Sequence, residues 1–339
     1  MNKILRIFAL AAILLFCLNL LGLAQPTPVI WVTDIGAGMD DCWALALLLC
    51  SPELDLKLIV TDSQDTVGKA KIVAKFLQTY RRQDIPIGVG IHRESKPGAL
   101  SAWATDFSLA TYTGTIRDDG VQAIVDTISN ASQPVTLLIT SPCPTVAEAL
   151  RRAPQITKAA RVIAMGGSIT TGYDGMPTPD AEYNIRSDIR AAQALFAAPW
   201  EITLAPLDTA DAILIQGSIY QDLRRFVDQN KTEITIQPIM DAYRSWKEAT
   251  RSRVDPEIRT TSLADTAPVV LAIQPDFFEI EEYPIRVDTR GYTIQSLTGK
   301  PTRVAIRWKA QSSAQNPVDS YSTFLVNRYL KGVLPPPKP

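Results

Sequence analysis

Three aspartates lie close together near the start of the chain, in the segment PVIWVTDIGAGMDDCWALALLLC. Asp34 follows an apolar run typical of a strand, and Asp40 and Asp41 precede an apolar run typical of a helix. Carboxylates at this spacing repel one another, and burial makes that repulsion more costly. A hard divalent cation, calcium or magnesium, would relieve the repulsion and would also orient and acidify a water molecule. The competing interpretation is that Asp40 or Asp41 simply caps the helix.

The composition excludes several classes of function. Thirty-four basic residues against 35 acidic residues give a formal net charge of −1. No basic run occurs, so we expect no nucleic-acid partner. His92 is the one histidine in the sequence and no Cys/His cluster exists, which argues against a zinc site and against a His-based catalytic triad.

The N-terminus has the pattern of a targeting segment. Two basic residues precede an almost purely apolar stretch, Ile7–Ala24, which ends in small residues. This pattern predicts a signal peptide over residues 1–24, cleavage before Gln25, and a mature domain over residues 25–339 in the periplasm or outside the cell. The alternative is an uncleaved anchor, and only in that case do we expect membrane association.

Apolar runs typical of strands alternate with amphipathic runs typical of helices along the mature chain. The strand candidates are Val29–Thr33, Leu56–Thr61, Ile85–Val89, Val135–Thr140, Val162–Met165 and Ile202–Pro206. The helix candidates between them are Cys42–Cys50, Val67–Tyr80, Val121–Ser129, Val146–Arg152 and Ile189–Ala197. This alternation predicts an α/β fold with a mostly parallel central sheet and helices on both faces. Further helices are expected over Ile213–Arg251 and Val318–Leu334, and a small antiparallel C-terminal part over Tyr283–Lys309.

The segment VTDIGAGMDDCWALALLL resembles the N-terminal signature of the inosine/uridine-preferring nucleoside hydrolases, in the variant with a longer loop between the first aspartate and the Asp-Asp pair. The resemblance continues in the family's order along nearly the whole mature chain. It is carried by SPELDLKLIVT, DIPIGVG, LLITSPCPTVAEAL, PTPDAEYNIRSDIRAA, ITLAPLDTA, LADTAPVVLAIQPDFF and YPIRVDTRG.

The resemblance implies a calcium ion at the bottom of a crevice, where it holds the ribose hydroxyls and a nucleophilic water. Asp34, Asp41 and Asp265 would be its side-chain ligands, and Asp34 would also be the base that takes the proton of the water. The backbone-carbonyl ligand falls on Pro144, where the family usually has threonine. Proline still has a carbonyl to offer, although its fixed φ changes the approach.

The resemblance also implies contacts to the ribose. Asp40, Glu182 and Asn184 match residues that bind the sugar hydroxyls. Met176 stands where the family usually has an asparagine, and TDSQDTVG replaces the usual Gly-Asn tract. In that tract Asp65 is the best substitute for a substrate contact.

The largest departure concerns the leaving base. Many family members have a histidine immediately before the final aspartate, and this chain has Ala264. A purine-preferring branch instead stacks the base between aromatic rings, and Trp103 and Trp246 are the candidates for this role. Taken as residues alone, both rings are equally compatible with core packing.

Together these features predict an exported, calcium-dependent hydrolase that cleaves ribonucleosides into ribose and free base, with a preference for purines. We expect a homodimer or homotetramer, as is common in the family. One alternative is a nucleoside- or sugar-binding protein that keeps the metal site without turnover, and another is a hydrolase of a different N-riboside. A phosphatase with an Asp-rich magnesium loop is less favoured, because no aspartate stands two residues after Asp34.

Overall fold

One mixed β-sheet runs through the part of the chain that this computed structural model describes, residues 25–93, 96–229, 236–310 and 316–336. Within these residues the sheet has ten strands in the order β4-β3-β2-β1-β5-β6-β7-β10-β8-β9. They are β1 (Thr27–Thr33), β2 (Leu54–Thr61), β3 (Ile87–Val89), β4 (Ile116–Arg117), β5 (Val135–Thr140), β6 (Ala160–Met165), β7 (Ile202–Ala205), β8 (Phe278–Val287), β9 (Thr293–Gln295) and β10 (Lys300–Trp308).

Helices cover both faces of this sheet. They are α1 (Asp40–Leu49), α2 (Thr66–Thr79), α3 (Gly120–Ser129), α4 (Pro144–Arg152), α5 (Tyr183–Ser187), α6 (Ile189–Ala197), α7 (Leu207–Ala210), α8 (Gly217–Gln229), α9 (Gln237–Thr250), α10 (Thr266–Ile273) and α11 (Pro317–Lys331). None of the helices described is long and apolar enough to span a membrane. The predicted signal peptide, residues 1–24, lies outside the described residues.

Strand β1 lies near the centre of the sheet and explains why the sequence there is a continuous apolar run. Val29 and Trp31 pack into the core on one face, with α1, α2 and α8–α11. Ile30 and Val32 pack into the core on the other face, with α3, α4 and α6. Successive strand residues point to opposite faces, so a strand covered on both sides is apolar at successive positions.

The α/β architecture predicted from the sequence is confirmed. All six strand candidates are present, and β1, β2, β5, β6 and β7 pair in parallel. The predicted helical region Ile213–Arg251 contains two helices, α8 and α9, and residues 230–235 between them lie outside the described residues. The C-terminal antiparallel part is also present, but it continues the main sheet, because β10 pairs in parallel with β7 and antiparallel with β8.

The last helix, α11, packs directly on the first one, α1. The Tyr329 hydroxyl donates to the Trp43 carbonyl at 3.1 Å, and the two rings lie edge to face with centroids 5.3 Å apart. Beyond α11, the N–H of Leu334 donates to the carbonyl of Leu49 at 2.9 Å. These contacts fix α1 from its buried side along its whole length.

Candidate active site and metal centre

A cavity of about 350 Å³ opens at the carboxyl ends of β1, β6 and β7. This is the edge at which parallel α/β sheets bind ligands. It contains most of the predicted site residues, namely Asp34, Asp40, Asp41, Glu182, Asn184 and Asp265. A larger depression of about 600 Å³, around Pro28, Asp55 and Arg117 at the opposite edge, contains none of them.

Three carboxylates in this cavity form a group that fits a metal ion. Asp40, Asp41 and Asp265 each offer an oxygen, and these oxygens lie within 4.8 Å of one another. Asp41 and Asp265 are 2% and 5% exposed. Burial raises the pKa of both carboxyls well above its usual range, and the neighbouring aspartate charges raise it further. Hard divalent cations prefer oxygen ligands, and they are attracted to carboxylates whose negative charges lie close together.

The orientation of Asp41 is set by two threonines at strand ends. Thr33 at the end of β1 and Thr140 at the end of β5 donate their hydroxyls to Asp41 at 2.6 and 2.9 Å. Both bonds go to Oδ1, which leaves Oδ2 as the oxygen turned to other partners. The N-cap of α1 is Met39, without a side-chain capping bond. Asp40 and Asp41 therefore stand in the first turn of α1, and neither is its N-cap residue.

The loop between Asp34 and Asp40 is shaped by its glycines. Gly36 adopts φ +113°, which side-chain-bearing residues rarely reach. A Cβ on Gly38 would stand 2.5 Å from Asp40 Oδ1, so a side chain at this position would displace the Asp40 carboxylate. The indole of Trp246 donates to the carbonyl of Ala37 at 2.8 Å and fixes the middle of the loop. The loop thus brings the strand-end aspartate and the helix-start aspartates into one cavity.

Asp34 lies beside the group of three rather than within it. It is 6% exposed, and burial is the main reason why its pKa rises to about 7. The Lys69 ammonium opposes this rise, whereas the charges of Asp40, Asp62 and Glu182 add to it. A cation bound by the cluster would favour the ionised form of Asp34, which is the form that a base requires.

The predicted ribose-binding residues line the opposite wall. Glu182 caps α5 and accepts backbone N–H bonds from Gly167, Asn184 and Ile185 at 2.9–3.2 Å. The side chain of Asn184 donates to the Met165 carbonyl at 3.3 Å. Both side chains are therefore held in fixed positions before any ligand binds, which suits residues that position a sugar.

Four further predicted residues are not among those that line the cavity. Asp65 caps α2 by accepting the Gly68 N–H at 2.9 Å and lies 3.8 Å from His92 Nδ1. Pro144 is the first residue of α4 and is buried. Trp103 stacks on Phe76, with ring centroids 4.3 Å apart, under the Lys75 ammonium. Trp246 contacts the cavity loop through its indole N–H, as described above.

Comparison with known proteins agrees with this site. The sequence model described as inosine-uridine preferring nucleoside hydrolase matches residues 29–321. The chain belongs to this family. It is therefore a hydrolase of N-glycosyl compounds.

Individual nucleoside hydrolases extend the comparison. A pyrimidine-specific ribonucleoside hydrolase, RihA of Salmonella paratyphi B, is 28% identical over 286 residues, which cover 79% of this chain and 86% of the relative. The purine-preferring ribonucleoside hydrolase of Gardnerella vaginalis superposes with a TM-score of 0.71 at 20% identity, covering 90% of this chain and 99% of the other. An inosine-guanosine nucleoside hydrolase superposes with a TM-score of 0.72 at 17% identity, covering 91% and 99%.

The nucleoside hydrolase site contains a buried carboxylate that sequence reasoning did not assign. Asp62 follows β2 and is fully buried, with its carboxylate accepting from Ser63 N–H, the Ser141 hydroxyl, and both the N–H and the hydroxyl of Thr145. It thereby joins the end of β2 to the turn between β5 and α4. In that turn Cys143 adopts φ +61°, a strained conformation that persists only when its surroundings enforce it.

A signal for Asp62 was present in the sequence. The dipeptide Thr-Asp ends two predicted strands, as Thr33-Asp34 and as Thr61-Asp62. Those strands are neighbours in the sheet, with Thr33 opposite Thr61. The two aspartates therefore emerge side by side, one toward the cavity and the other toward the β5–α4 turn.

Proposed function

We propose that this nucleoside hydrolase is an exported, calcium-dependent enzyme that cleaves the N-glycosidic bond of ribonucleosides to give ribose and free base. The observation that carries the proposal is the group of Asp40 with the buried Asp41 and Asp265, with Asp34 beside it, in one cavity with Glu182 and Asn184. A solvated surface of acidic residues would not require this burial, and a binding protein would not require a base next to the metal site.

The residues that would hold calcium are Asp34, Asp41 and Asp265 through their carboxylates and Pro144 through its carbonyl. The grouping of Asp40 with Asp41 and Asp265 adds a further carboxylate within reach. When bound, the ion supplies positive charge that attracts sugar hydroxyls and makes a water molecule more acidic.

The side chains of the cavity then divide the reaction between them. Glu182, Asn184 and Asp40 accept from or donate to the ribose hydroxyls and keep the anomeric carbon facing Asp34. Asp34 takes a proton from the attacking water, whose oxygen forms the new bond to that carbon. The bond to the base breaks, and the base leaves with its electron pair through an oxocarbenium-like transition state.

The base preference depends on the part of the cavity that would receive the base. Trp103 and Trp246, the candidates for purine stacking, are not among the residues that line the cavity. Tyr173 and Tyr183 are its aromatic lining residues. RihA proteins are named pyrimidine-specific and the Gardnerella enzyme purine-preferring, so relatives exist of both kinds. We therefore propose that the enzyme cleaves ribonucleosides. Whether it prefers purines, as the sequence predicts, is tested by comparing its rates on purine and pyrimidine ribonucleosides.

Release of ribose from inosine, guanosine, adenosine, uridine and cytidine tests the proposal. We expect turnover of at least one nucleoside, its loss on treatment with a calcium chelator, and its recovery when calcium is returned. Magnesium serves as the matched control ion. Calcium-dependent binding of nucleosides without release of ribose would instead support the binding-protein alternative.

Export and assembly are separate parts of the proposal. The leader pattern over residues 1–24 supports secretion, and N-terminal sequencing of the protein expressed in full should begin at Gln25. An intact N-terminus in a membrane fraction would favour the anchor. Light scattering on the mature protein tests for the dimer or tetramer that the family resemblance implies.

A further inference from the structure

One half of the cavity faces away from the carboxylate cluster. It is built by two chain segments that pair with each other, residues 211–215 and residues 260–263. The N–H of Leu263 donates to the Ile213 carbonyl at 2.8 Å, and that of Thr260 to the Ile215 carbonyl at 3.1 Å. Next to this pairing the Ser262 hydroxyl donates to the Asp211 carbonyl at 3.0 Å. Asp211 is thereby placed beside Ser262, two residues from Ala264, the position where many relatives have a histidine.

The Asp211 side chain is a cavity carboxyl with no assigned role. It is partly buried and lines the same cavity as Asp34 and Asp265. Its Oδ2 accepts the backbone N–H of Asp174 at 2.7 Å, which orients the carboxyl and leaves Oδ1 outside that bond. Burial raises the pKa of Asp211, the Asp174 charge raises it further, and the Asp174 N–H bond acts in the opposite direction.

The other groups in the cavity are less suited to donate a proton to a base. Burial raises the pKa of Tyr173 to about 12 and also raises the pKa of Tyr183, so both phenols are weak acids. Glu182 accepts three backbone N–H bonds with its two oxygens. His92 contacts Asp65, at a distance from the cavity wall.

We propose that Asp211 is the general acid that protonates the departing base. This inference rests on the proposed hydrolase function. As the bond between the anomeric carbon and the base nitrogen breaks, its electron pair moves onto the base, and the Asp211 carboxyl transfers its proton to a nitrogen or oxygen of the base. Asp34 meanwhile holds the proton taken from water, and exchange with solvent returns both residues to their starting states. The sum is nucleoside plus water giving ribose plus base.

A substrate whose leaving group departs without a proton distinguishes a general acid at position 211 from a residue that only supports the structure. 4-Nitrophenyl ribofuranoside releases a weakly basic phenolate, which departs unprotonated. We expect Asp211→Asn to lower kcat for inosine and uridine by about 10²-fold. The same variant should keep the wild-type rate on the nitrophenyl riboside. Asp222→Asn, an exposed carboxylate of α8 paired with Arg225, is the matched control and should leave both rates unchanged.

Two outcomes would overturn the assignment of Asp211 alone. One is an equal loss of both activities in Asp211→Asn, and the other is no loss of either. Asp211→Glu, which keeps the acid, should recover part of the nucleoside activity, and a failure to recover it when the protein is folded by circular dichroism would also count against Asp211. Wild-type protein that cleaves neither substrate would overturn the hydrolase proposal itself.

Discussion

The two halves of the cavity are built from different kinds of structure. On the metal side, Asp34, Asp41 and Asp265 are 6% exposed or less and stand at the ends of a central strand or in the first turns of buried helices. On the base side, Tyr173 and Asp211 are partly exposed and lie on connecting segments. Regular elements hold catalytic groups precisely, whereas loops accept exchange of residues more easily. This difference is consistent with a family signature that persists on one side while Ala264 replaces the usual histidine on the other.

The strongest test of the metal side is Asp34→Asn, which keeps the size of the side chain but removes the base. We expect kcat for nucleosides to fall by about 10³-fold, because Asp34 is the carboxylate proposed to take the proton of the water. The nitrophenyl riboside should lose activity as well, since water attack is common to both substrates. Retention of either activity would show that Asp34 is not the base. The metal side would then no longer differ from the base side by holding that residue.

A second test asks whether Asp62 belongs functionally to the metal side. Asp62→Asn places an NH₂ donor among the donors of Ser141 and Thr145, which should loosen the turn that leads into Pro144. We expect calcium affinity measured by calorimetry to fall by about 10-fold, the usual effect of residues that support metal ligands. Asp119→Asn, which affects the N-cap of α3, is the control and should bind calcium as the wild type does. Equal affinities in all three proteins would limit Asp62 to a structural role.

A third test uses pH. Because the folded pKa of Asp34 is about 7 and its ordinary value is 3.8, the metal-free fold binds more protons than the unfolded chain between these values. Its stability should therefore fall as pH rises from about 4 to 7, lowering Tm by roughly 4 °C. Asp34→Asn should show a shallower fall, and saturating calcium should remove it. A metal-free Tm that fell no more steeply in the wild type than in Asp34→Asn would contradict this account.

The smallest effect is expected for Trp103→Phe. The ring stacks on Phe76 and lies under Lys75, so the substitution should lower Tm slightly through lost packing. kcat and KM for inosine and uridine should stay unchanged. A fall in kcat for inosine alone would support Trp103 as a base-stacking residue on the base side of the cavity.

Much of the fold and of the metal side could be predicted from the sequence because the signals are local. An apolar strand that ends in an aspartate, followed by glycines and two more aspartates, has few ways to fold. Asp211 could not be predicted in this way, since its position depends on the pairing of residues 211–215 with residues 260–263, about 50 positions away in the chain. The roles of Trp103 and Trp246 could not be predicted from the sequence for a similar reason: the direction of a ring depends on which elements pack around it.

The packing of α11 on α1 has a consequence for biosynthesis. The first turn of α1 supplies two aspartates of the cavity cluster, yet Tyr329 on the helix that packs against α1 comes 286 residues after Trp43 in the chain. Trp43 can therefore pack against Tyr329 only after almost all of the described chain has been synthesised. We expect a chain that ends before Pro317 to expose part of Trp43 and to hold Asp40 and Asp41 less firmly.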